Sequence, residues 1–192
     1  MNTAKRTPWR TPVLFLLCLA SLVCFVASAS DAFALERLSN GYYHTGDGIR
    51  VKKILFASVN VYAIGHEMKE LPPAKTKQAV IDADVGKRFV WKMKRDVGSE
   101  KIHNALSEAY AMNGYTDQAK IGQFLGVFQN ELKENQIVTI TYDADKKATT
   151  LAVEGGASAT VAGVDFMKAT WRIWFAKIDQ PSLGDALISR LP

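Results

Sequence analysis

Cysteine is nearly absent from this chain of 192 residues: the only two, Cys18 and Cys24, lie inside an N-terminal apolar run. Everything after residue 24 lacks a thiol, which excludes a disulfide framework, a cysteine nucleophile and a thiolate metal site there. Histidine is almost as scarce. His44, His66 and His103 stand in different segments at no ligand-like spacing, so no metal site is expected. A Gly-x-Ser-x-Gly elbow, a phosphate loop, a Gly-x-Gly-x-x-Gly turn and a His-Glu-x-x-His pair are all missing, and no cofactor is implied. Charge of one sign is also in short supply. Lys and Arg number 24 against 19 Asp and Glu, and the net +5 is spread along the chain, so nucleic acid is not an expected partner. With 48% hydrophobic residues, disordered and fibrous classes drop out as well.

The apolar excess is concentrated at one end. Lys5, Arg6 and Arg10 precede a nearly unbroken apolar run from Val13 to Val26, and the small residues Ala27-Ser28-Ala29-Ser30-Asp31-Ala32-Phe33-Ala34 follow. This order is that of a secretory signal peptide. Small residues at alternating positions place cleavage after Ala34, with Ala29 as the second candidate. The run is shorter than the roughly 20 apolar residues that span a bilayer, so no membrane anchor is expected after cleavage. Leu17 and Val23 precede the cysteines, which argues against a lipid-modified cysteine. The expected organisation is a signal peptide over residues 1–34 and one domain over residues 35–192, exported across the inner membrane into the periplasm. Three basic residues and one acidic residue leave with the leader, so the net charge falls from +5 to +3. A domain of that length buries about 68–70% of its unfolded surface, enough to fold without disulfides. Nothing in the sequence sets an oligomeric state.

Periodicity organises the remainder. Ile49 to Ile64 is rich in β-branched and aromatic residues and reads as one long bent strand or two consecutive ones. After a loop with Pro72 and Pro73, Lys87 to Arg95 alternates Phe89, Trp91 and Met93 against Val90, Lys92 and Lys94, as a strand with one buried face does. Ile102, Ala105, Leu106 and Ala109 then recur at helical spacing between Ser99, a candidate N-cap, and Gly114. Thr116 or Asp117 caps a second helix with a stripe from Ile121 through Phe124, Leu125 and Phe128 to Leu132. Ile137 to Tyr142, Thr149 to Val153 and Ala159 to Val161 read as short strands separated by turn compositions. Phe166 to Lys177 is a helix apolar around much of its circumference, as a helix deeply buried or lining a cavity is. Ser182-Leu183-Gly184-Asp185 resembles a capping box that opens a last short helix. The alternation of strand and helix groups predicts an α+β fold with helices on one side of an antiparallel or mixed sheet.

Arg50 stands out, because it opens an otherwise apolar strand and points either into the fold or at its rim. A buried guanidinium needs an anion, and the strand itself offers no acid. Tyr62 lies an even number of residues later and shares its face if the strand does not bulge, adding a hydroxyl donor. The alternative is an exposed edge-strand arginine and a core tyrosine whose hydroxyl is satisfied internally. Arg95-Asp96 precedes the first long helix, where the plain expectation is that Asp96 or Ser99 accepts from its first N–H groups and Arg95 pairs locally.

The order of segments resembles the chalcone isomerase-like family from about Asn40 to Leu191. The pieces are Gly48-Ile49-Arg50, Phe56-Ala57-Ser58-Val59-Asn60-Val61-Tyr62-Ala63, Arg95-Asp96-Val97, Ser99-Glu100-Lys101-Ile102, Phe124-Leu125-x-x-Phe128 and Ile173-Trp174-Phe175. The resemblance implies an open-faced β-sandwich, a large antiparallel sheet packed against helices, with a ligand cleft between them. It also separates two functions. In the plant enzymes an arginine, a threonine, a tyrosine and an asparagine guide a chalcone phenolate onto the enone. Arg50 matches the arginine, whereas the other three positions fall on Ala57, Gly98 and Ala105, whose side chains cannot donate. Flavanone cyclisation is therefore not expected. The noncatalytic, fatty-acid-binding branch keeps the arginine and a tyrosine, which Arg50 and Tyr62 resemble. The expectation is a secreted binder of a fatty acid or similar amphipathic carboxylate, with Arg50 and Tyr62 on the head group and Ala57, Ala105 and Ile173 along the cleft. The alternatives are an isomerase or lyase acting on another small molecule, and an interaction module whose cleft is filled by its own side chains, among them Trp171 and Trp174.

Overall fold

The computed structural model describes residues 35–54 and 56–192, besides Met1. The leader on which the signal-peptide reading rests lies outside the described residues. Six strands, β1 (Tyr43–Ile54), β2 (Ala57–Met68), β3 (Lys87–Met93), β4 (Ile137–Asp143), β5 (Ala148–Val153) and β6 (Ser158–Ala162), form one antiparallel sheet in chain order. Five helices accompany it: α1 (Lys77–Asp82), α2 (Ser99–Met112), α3 (Gln118–Leu125), α4 (Val164–Phe175) and α5 (Pro181–Ala186). The architecture is the α+β arrangement that the alternation of segments predicts.

Period-two alternation decides which face of the sheet is covered. Along β2, Tyr62, Ile64, His66 and Met68 are buried while Ala63, Gly65 and Glu67 are half-buried, and β3 and β4 repeat the pattern. Register aligns Ile64, Trp91 and Val138 in one row, and His66, Phe89, Ile140 and Leu151 in the next. Onto these rows packs α4, with Phe166, Met167, Trp171, Ile173, Trp174 and Phe175 all buried. A helix apolar on so many sides has the sheet on one flank and α1, α2 and α5 on others.

The segment 49–64 is two strands rather than one, and β1 starts six residues before Ile49, so Arg50 lies well inside it. Two irregularities shape the β1–β2 pair. Thr45 is an extra residue between His44 and Gly46, and Val61 is an extra residue between the pairs Arg50–Tyr62 and Val51–Asn60. Each β-bulge shifts the phase of the strand by one. At the first bulge, a Cβ on Gly46 would run into the backbone of Ala186 and Leu187, so only glycine lets α5 pack this closely on β1.

Several helix ends differ from the sequence expectation. The N-cap of α2 is Gly98, without a side-chain bond; Ser99 lies inside the first turn, and Asp96 instead accepts from Glu134 N at 2.8 Å and Lys133 Nζ at 3.0 Å. Asp117, not Thr116, caps α3 by accepting from Lys120 N at 3.0 Å. That helix ends at Leu125, and Leu132 serves a different structure, a bridge to Val97. The last helix begins at Pro181 with Gln180 as N-cap, so Ser182 is already helical. Helix α1 is too short for a periodic signal; Thr76 caps it, and it buries Val80 and Ile81.

Candidate functional site

A cleft of about 670 Å³ opens between the outer half of the β1–β2 hairpin, one flank of α2 and the C-terminal end of α4. Its apolar wall includes Val59 and Val61 from β2, Ile102 and Leu106 from α2, and Ile173 and Trp174 from α4. The bulge at Val61 explains how the strand lines it. Before the bulge odd-numbered residues face the cleft, and after it even-numbered ones do, so Val59, Val61 and Tyr62 all contribute. Two apolar residues in succession, Val61-Tyr62, are the trace this leaves in the sequence.

Arg50 and Tyr62 are direct cross-strand partners and both line the cleft. They share a face because opposite residues of an antiparallel pair do, not because they are evenly spaced along one strand. Arg50 is largely buried, its side chain 17% exposed. The anion it needs comes from outside the sheet: Asp179, in the loop between α4 and α5, accepts from Nη2 at 2.6 Å. Among the described residues Nη1 has only two long contacts, to Val51 O and Gln180 Oε1, each at 3.3 Å. Gln180 also clasps β1, accepting from Val51 N and donating to Ile49 O, both at 2.9 Å. Lys52 Nζ lies 3.6 Å from the other oxygen of Asp179.

Tyr62 is 5% exposed and stacked on Trp91 with ring centroids 4.7 Å apart. Its hydroxyl oxygen accepts from Trp174 Nε1 at 3.1 Å, and its proton has no acceptor among the described residues. Burial holds the phenol above its ordinary range, against the opposing pull of the Trp174 hydrogen bond and the Arg50 charge. A phenol so held is neutral near pH 7. It donates a hydrogen bond and does not serve as a base.

Of the other expected residues, Ala105, Ile173 and Gly98 line the cleft. A Cβ on Gly98 would meet nothing within 4 Å, so the missing side chain leaves open space. Ala57 lies outside the cleft, exposed at the first position of β2. Arg95 and Asp96 both line it, and Arg95 has no ion-pair partner among the described residues, contrary to the local pairing expected. Trp171 belongs to the core and Trp174 to the cleft wall. Asp179, Gln180 and Lys52 were missed by sequence reasoning, and a polar Asp-Gln-Pro loop after an apolar helix is the only hint of the first two. Among the described residues no group of three or more His, Cys, Asp or Glu is gathered as a metal site would need.

Among curated proteins none matches the chain in sequence. The crystal structure of an Arabidopsis thaliana fatty-acid binding protein is similar in fold: the TM-score is 0.65 at 15% identity, over 79% of this chain and 89% of that one. The family described as chalcone isomerase-like matches residues 40–186. That span holds the whole sheet, the cleft and all five helices, and the chain belongs to the chalcone isomerase-like family.

Proposed function

We infer that this protein is a secreted, noncatalytic member of its family that binds a fatty acid or similar amphipathic carboxylate in the cleft, with Arg50 and Tyr62 at the head group. The observation that carries the reading is the pairing of a largely buried guanidinium with a phenol whose proton is free, both facing a cleft that has an aliphatic wall and charged residues such as Arg95, Asp96 and Lys101 around it. A carboxylate there gains charge-assisted hydrogen bonds. An acyl tail along Val59, Val61, Ile102, Leu106 and Ile173 gains about 0.8 kcal/mol per buried methylene. A volume of about 670 Å³ lies within the range of small-molecule sites. The similarity in fold to the Arabidopsis fatty-acid binding protein supports the same ligand class. Positions 98 and 105, which line the cleft, offer no side-chain donor to a developing enolate, which argues against chalcone-type ring closure. The leader pattern supports export to the periplasm.

The test is to express the full chain in an exporting bacterial host, purify the mature product and extract it for mass spectrometry beside an Arg50→Ala variant. Stoichiometric fatty acid in the wild type that disappears from the variant is expected, with an intact mass that begins at Leu35. A lipid-free protein, or lipid retained equally by both, would refute the head-group assignment.

A further inference from the structure

Arg50 is already neutralised within the chain, and by a group that is not part of the sheet. Asp179 reaches it from the α4–α5 loop with a 2.6 Å bond, while its own side chain remains 49% exposed. A carboxylate entering the cleft therefore meets an arginine whose best donor is taken. Two carboxylates cannot share one guanidinium edge without mutual repulsion. The neighbouring Lys52 offers Asp179 another place to go, since its ammonium is 3.6 Å from Oδ2 and 58% exposed. Together Arg50, Lys52 and Asp179 carry one net positive charge, so one ligand carboxylate makes the group neutral. The loop need not move for this exchange, because Gln180 anchors it to Ile49 and Val51 independently of Asp179.

We propose that Asp179 is a specificity-determining residue of the cleft: an internal carboxylate that holds Arg50 when the site is empty and yields it only to the carboxylate of a ligand. The inference rests on the fatty-acid reading above. A neutral lipid cannot offer Arg50 a compensating charge, so it binds with the Arg50–Asp179 pair intact and only Tyr62 to meet its head. An acid displaces Asp179 toward Lys52 and takes both Arg50 and Tyr62. Asp179 thus lowers affinity for every acid and keeps Arg50 paired beneath a neutral lipid, so it narrows the margin between acids and neutral lipids of equal length.

Delipidated mature protein, expressed as the full chain in an exporting host, is titrated with dodecanoate and with 1-dodecanol, comparing wild type, Asp179→Asn, Asp179→Ala and the Arg50→Ala/Asp179→Ala pair, each checked for its melting temperature. Dodecanoate is expected to bind both single variants roughly fivefold more tightly than wild type, the scale of one partly exposed ion pair. Dodecanol gains nothing, since an alcohol supplies Arg50 with no anion, and the dodecanoate gain vanishes in the double variant. Binding of dodecanoate by the Asp179 variants alone would support the proposal in its strongest form. Equal or weaker dodecanoate binding in the variants would overturn it, as Asp179 would then position Arg50 for the ligand. An equal gain for acid and alcohol would overturn it too, since Asp179 would merely fill space. If no variant binds dodecanoate, the fatty-acid reading fails and takes this inference with it.

Discussion

Tyr62 and Trp174 form a pair in which only one member can compensate for the loss of the other. Trp174 Nε1 is solely a donor, and Tyr62 is its acceptor at 3.1 Å, both residues being almost fully buried. Tyr62→Phe therefore strands an indole N–H in an apolar wall, a cost of about 1–3 kcal/mol. Trp174→Phe costs stability through lost packing but leaves the Tyr62 phenol beside an open cleft, where water satisfies it. In the double variant the stranded donor is gone, so the two losses add to less than their sum by about 1 kcal/mol. Urea unfolding of the three variants measures this, and strict additivity would show that the bond contributes nothing. The two side chains also separate in function. Tyr62→Phe weakens dodecanoate binding roughly fivefold by removing one donor to the head group, which calorimetry reads directly.

At the scale of elements, a buried polar chain ties the sheet to α1, to α4 and to the C-terminal end of α5. Lys87 on β3 donates to Val80 O at 2.6 Å and Ile81 O at 3.2 Å, closing the carbonyl end of α1, and lies 4.9 Å from the centre of the Trp171 ring on α4. Trp171 Nε1 donates to His66 Nε2 at 2.9 Å, which assigns the imidazole proton to Nδ1 and sends it to Thr45 Oγ1 at 2.6 Å. Thr45, the residue made extra by the first bulge, donates in turn to Leu187 O beyond α5 at 2.9 Å. Burial pulls Lys87 down from its ordinary value to about 7 and, aided by the Lys87 charge, His66 well below its own. Both folded-state values are depressed, so the unfolded chain binds more protons through each window. Stability therefore falls as pH drops from about 10.5 toward 7 on account of Lys87, and again below about 6.5 on account of His66. The depressed carboxylates start from a value of 3.8, below both windows. Melting temperature is expected to rise from pH 7 to pH 10 in the wild type, and this rise should be flat in Lys87→Met. A wild-type curve without an alkaline rise would contradict the assignment.

That chain also marks where the sequence was legible and where it was not. The alternation Phe89-Trp91-Met93 and the helical stripe Ile102-Leu106 identify β3 and α2 because each is a local period imposed by one large apolar surface. Lys87, in phase with Phe89, breaks the polar pattern of its type and gives no sign that its ammonium closes a helix six residues upstream. The same limit applies in the cleft. Arg50 and Tyr62 are visible as odd residues in an apolar strand, but their adjacency depends on a hairpin turn and a bulge. Asp179 meets Arg50 only because the loop after α4 is fastened to β1 by Gln180, a consequence of tertiary packing that no local spacing encodes.

For the whole molecule, the cleft is space that the packing of the hairpin and helices leaves to a ligand. The sheet is continuous from β1 to β6 and α4 is buried along its length, yet the hairpin, α2 and the α4–α5 loop meet around about 670 Å³ of open space. A ligand that fills this space binds only the folded state, because the unfolded chain has no cleft. Mass action then sets the stabilisation: free fatty acid at a hundred times its Kd adds about 2.7 kcal/mol. For a domain of this size each kcal/mol is worth about 2–4 °C, so delipidated protein should melt roughly 5–10 °C below protein saturated with dodecanoate. The shift should grow with the logarithm of dodecanoate concentration, by about 1.4 kcal/mol per decade. Arg50→Ala should lose most of it at the same concentrations, whereas Ala57→Ser, at an exposed position outside the cleft, should keep it in full. Differential scanning calorimetry across a dodecanoate series measures all three. A melting temperature independent of dodecanoate would mean that the folded cleft does not take the acid, and the space between hairpin and helices would need a different occupant.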